Sequence, residues 1–153
     1  MEYETLDGRM TLAYPSTWVK VGELSSYVFL ESANLSLNLE FLVGEGRDFG
    51  DDDTKNIDIV ATELANNMPP LDPFSAKEKG LWRHPILRGW YIVGCLYATV
   101  VSGEVPTAVC AIYLKAGDDC VRLCMVRPWS EEFEPSQLDT LRAICDTIRV
   151  KRV

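Results

Sequence analysis

Acid–base chemistry near neutral pH draws first on histidine, and this sequence has one, His84. Every Ser-His or Cys-His dyad, every triad and every multi-histidine metal site would depend on it. It stands in Trp82-Arg83-His84-Pro85-Ile86, ahead of a proline, where a loop enters a strand. No Gly-x-Ser-x-Gly nucleophile turn accompanies it, so it reads as a loop histidine. The acids Asp48, Asp51, Asp52 and Asp53 could serve a hard cation, but they lack the alternation of an EF-hand loop and sit where a helix begins. Asp48-Phe49-Gly50 copies a kinase triplet without the glycine-rich loop, lysine strand or catalytic loop that give it meaning. No phosphate-binding glycine motif is present. Cys95, Cys110, Cys120, Cys124 and Cys145 form an odd, irregular set with no C-x-x-C, and are expected as small buried hydrophobes. No catalytic residue, metal or cofactor is expected.

Aromatic side chains are the more suggestive group. Trp82, Trp90, Tyr91, Tyr97, Tyr113 and Trp129 fall in or beside a run of long strands, and an antiparallel sheet can leave one face uncovered. Trp18, Tyr27 and Phe29 precede them on earlier segments. The expected partner-binding set on the sheet face is Trp18, Tyr27, Phe29, Trp90, Tyr97 and Tyr113.

The elements that must position these side chains follow from pattern. With 153 residues, 47% of them hydrophobic and 25% charged, the chain is one domain, residues 1–153, able to bury roughly two-thirds of its unfolded surface. A net charge of -8 disfavours nucleic acid and anionic membranes as partners. No apolar run reaches membrane-spanning length, and the acidic start Met1-Glu2-Tyr3-Glu4 is unlike a signal peptide, so a cytoplasmic protein is expected.

Glu2 to Leu6 and Met10 to Tyr14 predict a hairpin around Asp7-Gly8. Pro15 forces a turn, freeing Trp18 to drop onto the core. Strands are predicted at Tyr27 to Glu31 and Leu35 to Val43, where Leu35, Leu37, Leu39 and Phe41 alternate with Ser36, Asn38 and Glu40. Ile57, Val60, Ala61, Leu64 and Met68 mark a helix that Pro69-Pro70 stops. Phe74 to Trp82, Leu87 to Val101, Val105 to Lys115 and Cys120 to Val126 predict four strands, the last three joined as hairpins through Ser102-Gly103 and Gly117-Asp118-Asp119. Pro135 opens a last helix with Leu138, Leu141, Ile144, Cys145 and Ile148 on its apolar stripe. The order predicts an α+β fold: an antiparallel sheet with an N-terminal hairpin and a long C-terminal meander, packed against two main helices.

The stretch YETLDGRMTLAYPSTWVKV, a hairpin ending in a Tyr-Pro-x-x-Trp turn, resembles the start of the PsbP-like superfamily, which includes photosystem PsbP proteins, the yeast Ran-binding Mog protein and small bacterial proteins. The helix ending at NNMPPLDPF, the meander and the closing ICDTIRV extend the likeness over nearly the whole chain. The resemblance implies an α-β-α sandwich. It is greatest to a bacterial cytoplasmic branch that includes chaperones for apolar helices of type VI secretion effectors, acidic proteins that are often dimeric.

The expected function is therefore a non-enzymatic adaptor or chaperone that docks an apolar peptide or helix on its sheet, between the N-terminal hairpin and the long strands, with a homodimer compatible. A small-molecule or lipid carrier using the same sheet as a pocket wall is the alternative. A metal-dependent hydrolase ranks third and requires His84 to meet Asp51 to Asp53 in a cleft.

Overall fold

The computed structural model describes residues 1–67, 74–101 and 103–151. Met68, Pro69, Pro70 and Ser102, which figure in the predicted helix stop and one hairpin turn, lie outside them. Among the described residues the chain forms β1 (Glu2–Glu4), β2 (Met10–Ala13), β3 (Val19–Leu24), β4 (Tyr27–Ser32), β5 (Leu35–Leu42), a 3-10 turn (Glu45–Asp48), α1 (Asp53–Asn67), β6 (Phe74–Arg83), β7 (Arg88–Val100), β8 (Gly103–Ala116), β9 (Asp119–Pro128), α2 (Pro135–Asp146) and β10 (Arg149–Val150).

Seven strands make one antiparallel sheet in the order β3-β4-β5-β9-β8-β7-β6. It is two meanders joined where β5 pairs with β9, so the predicted C-terminal meander is half of a larger sheet. The predicted hairpin forms at Asp7-Gly8, with Gly8 at φ 72, where a β-carbon would be strained. It stays outside the large sheet. β1, β2 and β10 make their own three-stranded sheet, and Met10 and Leu12 bury on the α2 side. The hairpin therefore packs on the face that α2 covers, and not beside the outward half of β3, β4 and β5.

Strand parity sorts the side chains into two cores. Leu35, Leu37, Leu39 and Phe41 of β5, Cys110, Ile112 and Leu114 of β8, and Val121, Leu123 and Met125 of β9 meet Leu141, Ile144 and Cys145 of α2. On the opposite face, Trp90, Ile92, Val109, Ala111 and Tyr113 meet Val60 and Leu64 of α1. The Pro15 turn closes with the Trp18 N–H donating to the Pro15 carbonyl at 3.0 Å, and it delivers the indole into the first core. Each helix is fixed at its start. Asp52 accepts from the amides of Thr54 (3.0 Å) and Lys55 (3.3 Å), while Glu134 and Gln137 form a capping box ahead of Pro135.

Topology dictates what α1 covers. The chain leaves the sheet at β5 and re-enters at the far edge, β6, four strand spacings or roughly 19 Å away. The helix has 15 residues, a length of about 22 Å at 1.5 Å per residue. It consequently packs on the β8-β7-β6 half, and among the described residues no α-helix packs over the same face of β3, β4 and β5.

Candidate functional site

The bare half-face is assembled from residues paired across strands, because directly opposed residues point to the same side. Val19 opposes Glu31, Leu24 opposes Tyr27, and Gly22 opposes Phe29. Phe29 in turn opposes Asn38, and Tyr27 opposes Glu40. Asn38, Glu40 and Ser36 then oppose Cys124, Arg122 and Val126 of β9. Tyr27 and Phe29 are half-buried, whereas Val19 and Leu24 on the edge strand are 59% and 71% exposed. The two sheet edges differ. Lys77, Glu78 and Lys79 charge the β6 edge, while β3 ends in apolar residues interrupted by a bulge between Lys20 and Gly22.

At the foot of α1 this strip deepens into a recess of about 310 Å³ that includes Tyr27, Asn38, Leu64, Tyr113, Arg122 and Cys124. The Tyr27 hydroxyl donates to Asn38 Oδ1 at 2.9 Å, and Arg122 donates to Glu40 at 2.5 Å. Burial pushes the Tyr113 hydroxyl up to about 12 and the Cys124 thiol up to about 11. Burial works against the charge of Arg122 as well, but its bonds to Tyr113 and Glu40 outweigh that and raise its pKa. A thiol and a phenol so shifted are held in their protonated forms near neutral pH. A second hollow of about 610 Å³ lies beyond Phe29, at the end of the sheet, and includes Glu31, Asn34, Ser36, Arg127 and Trp129.

Of the six expected site residues, Tyr27 and Phe29 lie on the bare half, while Tyr113 lies on the same face under α1, 3% exposed, and meets Tyr27 only in the recess. Trp90 shares the face but is 0% exposed, sealed under α1 with Phe49 stacked on it at 4.8 Å and its Nε1 donating to Asp53 at 3.0 Å. Trp18 is buried in the opposite core, and Tyr97 projects to that opposite side, donating to Glu131 at 2.6 Å. Val19, Leu24, Glu40 and Arg122 are not among the expected residues, although strand parity with Tyr27 and Phe29 places all four on the same face once the register is known.

His84 and the acidic loop do not meet. His84 Nδ1 accepts from the amides of Ile86 (3.1 Å) and Leu87 (2.9 Å), and its surroundings are Asp146, Arg149 and the chain end of α2. Asp52 caps α1, and Asp53 pairs with Arg88 (2.8 Å) and Trp90, on the α1 side. No group of three His, Cys, Asp or Glu residues able to hold a metal occurs among the described residues. The five cysteines are free, four of them buried. No helix of the described residues is long and apolar enough to cross a membrane.

This is an α+β protein whose large antiparallel sheet is covered on one face and half covered on the other. Its fold is that of Mog1p and PsbP. The yeast Ran-binding protein Mog1p from Saccharomyces cerevisiae superposes with a TM-score of 0.63 at 11% identity, over 98% of this chain and 94% of that one. Cyanobacterial PsbP from Synechocystis gives 0.56 at 10% identity over 99% and 92%. A Bacteroides thetaiotaomicron protein gives 0.59 at 10% identity, and there the present chain spans 99% of itself but only 48% of the other. No protein-family model and no curated protein matches the sequence.

Proposed function

We propose that this chain is a non-enzymatic protein-binding module, an adaptor or chaperone that receives an apolar peptide or helix of its partner on the bare half-face of β3, β4 and β5. One observation carries the reading: an apolar strip of Val19, Leu24, Tyr27 and Phe29 faces outward on the half of the sheet that α1 does not reach. Burial of that strip supplies the drive, at roughly 25 cal/mol per Å² of apolar surface. Asn38, Ser36 and the Tyr27 hydroxyl supply hydrogen bonds that fix register. A protein with the same fold, Mog1p, is a Ran-binding protein, which supports a protein partner in general terms. The effector-chaperone role is the specific form we favour, with the chain acting in the cytoplasm.

The test is a photo-crosslinker. With p-benzoylphenylalanine at position 29, a discrete adduct forms in cells, and the same probe at the exposed Ile86 across the molecule gives none. Equal adducts at both positions, or none at position 29, would overturn the proposal. The recess of about 310 Å³ keeps a carrier function as the second reading, since it reaches the lower end of ligand-pocket sizes. A small molecule retained in native mass spectrometry and lost on Tyr27→Ala would favour it.

A further inference from the structure

Trp129 combines two features that seldom coincide. Its indole is 75% exposed, and its backbone lies at φ 64, in the left-handed region that bulky residues avoid. The loop around it is pinned. Arg127 donates to the Glu132 carbonyl at 2.8 Å, Ser130 donates to the same carbonyl at 2.8 Å, Lys77 donates to the Glu131 carbonyl at 3.2 Å, and Phe133 is buried. A loop so anchored holds its tryptophan outward against backbone preference.

The hollow beside it has a sign as well as a shape. Glu31 lines it and, among the described residues, its carboxylate has no hydrogen bond or ion pair. The cations close by are already engaged: Arg127 with Glu132 and Glu134, and Lys77 with Glu132. Glu131, whose carboxylate accepts, among the described residues, only from the neutral Tyr97 hydroxyl, adds negative charge on the loop side, in a chain of net charge -8. An exposed indole next to an unneutralised carboxylate is the chemistry that selects a cation, since ring face and carboxylate both attract positive charge.

We propose that this groove seats a lysine or arginine side chain of the docked partner, lodged between the Trp129 indole and the Glu31 carboxylate while the partner's apolar stretch lies along Phe29 and Leu24. The inference rests on the docking reading above and names the partner's chemistry: an apolar segment carrying a basic residue at one end.

Trp129 itself reports the event. The other three tryptophans, Trp18, Trp82 and Trp90, are buried, so solvent-exposed emission comes from this one. Three synthetic helical peptides sharing one apolar stripe and bearing Lys, Gln or Glu at the end facing the groove are titrated into the intact protein by calorimetry and by tryptophan emission. The Lys peptide binds about tenfold tighter than the Gln peptide, and the Glu peptide binds more weakly than either. Glu31→Gln and Trp129→Ala each bring the Lys peptide to the affinity of the Gln peptide, while unchanged melting temperatures show both variants fold. Caesium ion quenches the exposed emission more than iodide does, and Glu31→Gln narrows the difference. Equal affinity for Lys and Gln peptides would overturn the cation seat and leave the docking face standing; failure of all three peptides to bind would take the docking face with it. A saccharide that displaces no peptide but quenches Trp129 would likewise overturn the seat.

Discussion

Two phenylalanines on the same sheet face allow a direct comparison of covered and bare halves. Phe49 is 4% exposed, lies parallel to Trp90 at 4.8 Å with an interplanar angle of 3°, and touches Tyr113 at 5.9 Å between ring centres. Replacing it with Ala removes a fully buried ring and leaves a cavity under α1, at a cost of about 3–5 kcal/mol, of which the ring stacking accounts for roughly 1. For a chain of this size that is a fall of about 10–15 °C in melting temperature. Phe29→Ala removes the same atoms from a half-buried position with no helix above it. Only its partial burial is lost, about 1 kcal/mol. Urea unfolding followed by far-UV circular dichroism measures both, with an unchanged slope certifying that the two states are the same. A loss of more than about 3 kcal/mol for Phe29→Ala, independent of protein concentration, would refute the claim that this half of the sheet is bare in the monomer. A loss that is large at high protein concentration and shrinks on dilution would instead place a second copy of the chain on it.

Trp129→Gly relieves the left-handed strain, about 1–2 kcal/mol, and gives back roughly half of it to unfolded-chain entropy, so thermal melting is expected to rise slightly while Trp129→Ala gains nothing. Gly46→Ala would place a β-carbon 2.1 Å from the Asp119 carbonyl oxygen and 2.6 Å from the Gly117 carbonyl oxygen, backbone that cannot rotate away; a loss of roughly 2–3 kcal/mol in urea unfolding is expected. His84 is held below its ordinary pKa of 6.5 by burial and then by Arg149, so the fold favours its neutral form. Its contribution to stability is complete above pH 6.5 and is lost as pH falls below that value through the folded pKa. His84→Asn keeps an acceptor for the Ile86 and Leu87 amides, so the melting temperature at pH 7.5 should hold while its decline between pH 7 and 5 flattens.

Most of the fold is legible because period-two alternation survives burial. Ser36, Asn38 and Glu40 interleave with Leu35, Leu37 and Leu39, and the structure puts the two sets on opposite faces. β3 escapes such a reading because the bulge between Lys20 and Gly22 breaks the alternation that would reveal it. β10 is two residues long and owes its existence to β2, a partner 140 positions away in sequence that no local pattern announces.

The site was harder to read for a different reason. Alternation tells which face a residue takes, never whether something covers that face. Trp90 and Phe29 are equivalent by parity, both on the α1 side, yet one is sealed and the other outward. What separates them is the strand order: a crossover from β5 to β6 has to span β9, β8 and β7, so α1 shelters that half by construction and cannot shelter β3 and β4 as well. The bare strip is thus a consequence of connectivity rather than of composition. A helix of this length joined to β5 and β6 lies over the strands between them, and among the described residues nothing else covers the apolar residues of β3 and β4 on that face.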